Sequence, residues 1–193
     1  MKRLAVLSAV LALAAFGLAA CGGDDDETTA TAGGTQPVSA GVFVGRVEGT
    51  DASVALVTNG QRLSGAYLCS PNGAAWFRPA TFADGTADLV TRSDETLGEA
   101  SFAGEGASGT VDIGGESHSF SAELATGKAG LYRTASGKPE SEGGVSETGW
   151  IVLSNGSKCG RTNSITPAGE FKTEPATSRP KGHVTEFTNP FAF

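Results

Sequence analysis

Gly104-Glu105-Gly106-Ala107-Ser108-Gly109-Thr110-Val111-Asp112-Ile113-Gly114-Gly115-Glu116-Ser117-His118-Ser119-Phe120-Ser121-Ala122-Glu123-Leu124 decides the fold class. Val111 and Ile113, then Phe120, Ala122 and Leu124, recur at every second residue, which is the period of a strand with one face buried. The glycine clusters at Gly104–Gly106 and Gly114-Gly115 supply the tight turns between such strands. Gly104, Gly106 and Gly109 also spell GxGxxG, but a dinucleotide site needs a helix to follow, so that the helix N-terminus meets the pyrophosphate. Thr110 to Ile113 reads as a strand instead, so the motif is a hairpin turn.

The same punctuation extends in both directions. Turn signals fall at Asn59-Gly60, Asn72-Gly73, Asp84-Gly85, Asp94-Glu95, Gly104–Gly106, Gly114-Gly115 and Thr126-Gly127, at spacings of 13, 12, 10, 10, 10 and 12 residues. They predict strands near 42–48, 52–58, 61–70, 75–82, 86–92, 96–103, 108–113, 117–124, 129–134 and 148–154. Within the third, Leu63, Gly65, Tyr67 and Cys69 are expected on one face. No stretch of this region has helical spacing. The fold class is therefore all-β: an antiparallel up-and-down meander of about 8–10 short strands, forming a small barrel or half-barrel because closure removes exposed edges.

Around this body, residues 41–160, the chain changes character. Gly137 to Ser146 reads as a long loop. Arg161 to Phe193 carries four prolines and little periodicity, so an extended, partly disordered tail is expected, with one short strand at His183 to Phe187. Gly22 to Ala40 is Gly, Thr, Ala and acid with no apolar periodicity, the composition of a disordered tether reaching roughly 25 Å.

Before the tether, Met1-Lys2-Arg3 and the apolar run from Leu4 to Ala20 have the layout of a secretory signal peptide, residues 1–20. The run then meets Leu18-Ala19-Ala20-Cys21, which resembles the lipobox of bacterial lipoproteins. That resemblance implies a diacylglyceryl group on the Cys21 sulfur and cleavage that leaves Cys21 first, within residues 21–40 of lipidated cysteine and tether. Each buried methylene contributes about 0.8 kcal/mol, so two or three chains hold a domain firmly. The implied location is the extracytoplasmic face of the cell membrane, with membrane lipid as partner. Tyr67-Leu68-Cys69, Gly130-Leu131-Tyr132-Arg133 and Gly149-Trp150-Ile151-Val152-Leu153 are also similar to small exported β domains of actinobacterial lipoproteins, a resemblance that brings no activity.

With Cys21 assigned to lipid, Cys69 and Cys159 remain, and an exported pair usually bridges. Without residues 1–20 the charge is 14 − 2 = 12 basic against 21 acidic residues, a net of −9. Such a chain is not built to bind nucleic acid, which requires clustered Lys and Arg.

No catalytic constellation, metal cluster or cofactor motif is present. Ser178 and Lys181 fit SxxK, but that motif works from a helix start and Pro180 opposes one. Asn155-Gly156-Ser157 is a formal sequon that marks a turn. Val184, Phe187, Phe191 and Phe193 suggest the closing strand of an outer-membrane barrel, although the strands are too short and polar for one. His118 is in phase with Phe120 and so faces inward near a strand end. Tyr67, Trp76, His118 and Trp150 are the candidate ligand-lining residues. The leading expectation is a non-enzymatic binding or envelope-structural module whose partner is an envelope protein or small molecule. The alternatives are a barrel holding a small apolar ligand among Tyr67, Trp76 and Trp150, and an enzyme built from separated residues, with His118 beside a carboxylate as its mark.

Overall fold

The computed structural model describes residues 37–137, 145–166, 168–181 and 184. The expected signal peptide, the lipobox-like stretch with Cys21, nearly all of the expected tether, most of the 137–146 loop and, Val184 apart, the terminal stretch around His183–Phe187 lie outside the described residues.

The described chain is all β: β1 (Gly41–Val47), β2 (Ser53–Thr58), β3 (Arg62–Ser70), β4 (Gly73–Phe77), β5 (Ala80–Thr81), β6 (Thr86–Val90), β7 (Thr96–Ala103), β8 (Gly106–Ile113), β9 (Glu116–Leu124), β10 (Gly130–Gly137), β11 (Val145–Val152), β12 (Lys158–Ile165) and β13 (Phe171–Pro175). The predicted turns lie between strands where the sequence placed them. At the β2–β3 turn the Asn59 side chain accepts from the amides of Gln61 and Arg62, the local bond that suits asparagine to turns. Asp84 and Asp94 take positive φ.

The meander divides into two sheets. The first runs in the order β4-β3-β2-β1-β9-β8-β7-β6, with β5 on β3. β9 returns to pair antiparallel with β1, and Phe77 bridges Thr91 at the opposite seam, so this sheet is nearly closed and barrel-shaped. The turn at Thr126-Gly127 is not a hairpin within it but the change-over to a second sheet, β10-β11-β12-β13.

The stretch from Arg161 onward, expected as a tail, contains most of β12 and all of β13. Those strands are polar because each is half-buried or exposed, and they are held by ladder bonds to their neighbours more than by apolar burial. At the other end, the body starts before residue 41: Ser39 N–H donates to Gly104 O at 2.9 Å and Val38 packs on the barrel core.

The barrel interior is filled by its own side chains. Phe43, Leu56, Leu63, Phe77, Leu89 and Phe120 are all essentially inaccessible, and Phe43 meets Phe102 edge-on at 5.7 Å. A second core lies outside the barrel, between the outer face of β1–β4 and the second sheet: Val42, Val44, Ala55, Val57, Tyr67 and Trp76 pack with Leu131, Ile151 and Leu153. β2 is consequently buried on both faces, and its Ser-Val-Ala-Leu-Val-Thr run is buried at every position, with four consecutive apolar residues in place of alternation. On the opposite wall only one face is covered, and β9 alternates as expected, with Phe120 and Ala122 buried and Ser119, Ser121 and Glu123 turned outward.

The expected shared face of Leu63 with Tyr67 and Cys69 does not occur. The β2–β3 register shifts between Val57 and Thr58, where Gly65 and then Leu63 are the partners. This bulge takes up one residue and reverses the phase. Leu63 thereby joins Ala66 and Leu68 inside the barrel, while Tyr67 and Cys69 face the second sheet.

Candidate functional site

A disulfide, a buried tyrosine and an ion triad are among the contacts that fasten the second sheet to the barrel beside a groove at one end of the junction. Cys69 in β3 is disulfide-bonded to Cys159 in β12, with Cα atoms 5.9 Å apart. The bridge joins the two sheets to each other rather than locking the barrel's own closure. By loop entropy a cross-link across 90 residues contributes about 4.6 kcal/mol.

Tyr67 fills the centre of the junction. Its ring lies against the backbone of β11 at Gly149, where an added Cβ would stand 2.3 Å from the ring; only glycine admits this approach. Its hydroxyl donates to Gly149 O at 3.3 Å and lies 3.4 Å from Arg161 O. Burial, and secondarily the negative charge of Glu147, push the phenol above its usual range, so it stays protonated. Trp76 stacks on it, ring centroids 4.2 Å apart.

Beyond Trp76 sits an ion triad around a buried carboxylate. Glu147 of β11, only 5% exposed, accepts from Arg92 at 2.6 and 3.1 Å and also from Arg133 of β10. Arg92 follows β6, so the triad ties the second sheet to the barrel at a point separate from the disulfide. The Arg92 and Arg133 guanidinium carbons lie 5.8 and 5.5 Å from the centre of the Trp76 ring, within cation–π range. The paired geometry is what allows a carboxylate to be buried.

The groove opens over this triad. It has a volume of about 430 Å³ and is bounded by Trp76, Leu97, Val145, Glu147, Ile165 and Phe171 among others. Here the inner face of the second sheet overhangs the end of the barrel. Ile165 and Phe171, the large apolar side chains left most open among the described residues, are 50% and 65% exposed. Chemically the site is an aromatic and aliphatic surface with a fixed, charge-paired floor.

The predicted ligand-lining residues do not form one site. Trp76 lines the groove and Tyr67 lies beneath it, both outside the barrel interior in which a ligand was expected. Trp150 belongs to the other face of the second sheet, packed over Gly160, where an added Cβ would stand 1.9 Å from the indole. Residues after β13 also contact this sheet: Ala176 is bonded to Gly160, Arg179 is stacked 4.3 Å over Tyr132, and Val184 is bonded to Leu131. His118 lies opposite Val111 on the inward side of β9, far from the others in register, with Glu116 at 4.0 Å. That carboxylate is two residues away at an exposed strand end, 83% open. Ser178 and Lys181 lie in a segment without helix, and Asn155 forms a turn by accepting from Ser157 N–H at 2.9 Å.

Sequence reasoning missed Arg92, Arg133, Glu147, Ile165 and Phe171. The chain separations of Glu147 from its arginines, 55 and 14 residues, carry no motif spacing. Among the described residues no group of His, Cys, Asp and Glu is arranged to hold a metal, and no helix is long and apolar enough to cross a membrane. Comparison of the chain with protein-family models, with curated proteins and with solved structures found no match.

Proposed function

We propose that this chain is an exported lipoprotein, anchored through acylated Cys21 to the extracytoplasmic face of a membrane, whose β body is a non-enzymatic binding module. The observation that carries the binding reading is the groove of about 430 Å³ with Phe171 and Ile165 open at its rim. Its size falls in the range of small-molecule sites, and its lining suits an apolar or aromatic group. The ion triad beneath it holds Trp76 in place and supplies no free nucleophile or base. A small apolar molecule, or an apolar side chain of an envelope protein, is the occupant this lining fits. The groove replaces the barrel interior as the place to look for a ligand.

The test uses the aromatic probe 8-anilinonaphthalene-1-sulfonate. The native protein is expected to enhance the probe's fluorescence at a single saturable site, and Phe171→Asp is expected to weaken that binding at least tenfold while leaving the melting temperature within a few degrees. Absence of saturable enhancement, or binding unchanged in both Phe171→Asp and Ile165→Asp, would overturn the reading. The anchor is checked separately: Cys21→Ser is expected to abolish labelling by a palmitate analogue and to release the chain from the membrane fraction.

A further inference from the structure

We infer that β13 is a self-pairing edge: two copies of this chain join antiparallel along Phe171–Pro175, about a two-fold axis at Thr173. β13 ends the order of its sheet, pairing with β12 and with no strand beyond it among the described residues. The register determines which backbone groups are left over. Thr166 N–H donates to Glu170 O at one end and Ala176 N–H to Gly160 O at the other. The intervening residues alternate, so Lys172 and Glu174 direct their backbone groups toward β12, while Phe171, Thr173 and Pro175 direct theirs to the open side.

An antiparallel copy centred on Thr173 satisfies that open side. Thr173 exchanges both of its bonds with its symmetry mate, and each Phe171 N–H meets the carbonyl of the other copy's Pro175. Proline lacks only the donor, so it is tolerated in this position. The side chains then match. Lys172 falls opposite Glu174 of the second copy, and Glu174 opposite Lys172, in the closer, non-hydrogen-bonded class of pair. Edge lysines and prolines ordinarily keep strands apart. Here lysine and glutamate straddle the central threonine, and that spacing makes the edge complementary to itself while like-charged arrangements are rejected. Lys172 is 53% exposed with its own Glu170 at 3.7 Å, a contact that leaves it free to turn. Pairing also places the other copy's Pro175 against Phe171, the most exposed large apolar residue among the described residues. The contact is isologous, as a two-fold dimer requires, and joins the two four-stranded sheets into one.

The test is cysteine trapping in the full chain in detergent micelles under mild oxidation. A hydrogen-bonded antiparallel pair sets Cα atoms about 5.5 Å apart, within disulfide reach. Thr173→Cys is expected to give a covalent dimer at least five times faster than Ser121→Cys, which sits on the bare wall of the barrel and reports chance collision. Adding Lys172→Glu should abolish that excess, and Lys172→Glu with Glu174→Lys should restore it. Circular dichroism of each variant reports that the fold is kept. Trapping no faster than Ser121→Cys, or trapping indifferent to Lys172→Glu, would overturn the proposal.

Discussion

The two walls of the barrel are made of the same kind of strand and live in different surroundings. β1–β3 carry one core inside and a second core outside, whereas β7–β9 carry the inner core alone and turn Glu99, Ser101, Ser119 and Ser121 to solvent. The second sheet thus converts one wall into a middle layer with a core on each side. Its contacts are therefore stability contacts for half the barrel, and the groove is the place where that cover overhangs and ends.

Removing the cross-link should separate the walls most. Cys69→Ala with Cys159→Ala is expected to cost up to about 4.6 kcal/mol, read by chemical denaturation. A loss under about 1 kcal/mol would mean that the second sheet is held without it. Next is the ion triad. Glu147→Ala leaves two guanidinium groups facing one another and should cost about 3 kcal/mol, at the low end for a buried pair because both arginines are partly open. Glu99→Ala, on the bare wall, should stay within about 0.5 kcal/mol. Equal effects would erase the comparison.

Tyr67→Phe should cost about 1 kcal/mol at neutral pH, since its hydroxyl bonds are long. Its larger signature lies at high pH. The folded phenol binds its proton more tightly than the unfolded one, so the folded state retains a proton that the unfolded chain releases above its ordinary value of about 10. Stability is thus unaffected below that pH and falls as pH rises past it. The Tyr67→Phe variant should lose that component of the alkaline decline; an unchanged profile would count against a buried phenol.

Much of the barrel was legible because its turns announce themselves and β7–β9 alternate. The second sheet was legible only in part: the strands expected near 129–134 and 148–154 fall on β10 and β11, but nothing marked them as a separate layer. A strand buried on both faces loses alternation, and Val54 to Val57 gave only a continuous apolar run. β12 and β13, Lys-Cys-Gly-Arg-Thr-Asn-Ser-Ile and Phe-Lys-Thr-Glu-Pro, carry too few apolar residues to read as strands. Cys69 and Cys159 were legible as a pair, but not as a link between sheets, since the division after β9 is marked by a turn like the others. Of the groove's lining, Trp76 alone was singled out from the sequence, and there as a lining of the barrel interior, whereas it lies outside it. Arg92, Arg133 and Glu147 were not singled out, because charges brought together by tertiary packing leave no spacing to recognise.

Hydrogen exchange under native conditions separates the two walls residue by residue. If the β1–β4 wall is the middle layer, the ladder amides of β2 and β3 should exchange only by global unfolding, while those of β7 and β8 open at lower free energy. Protection in β7 and β8 equal to or greater than that in β2 and β3 would contradict it.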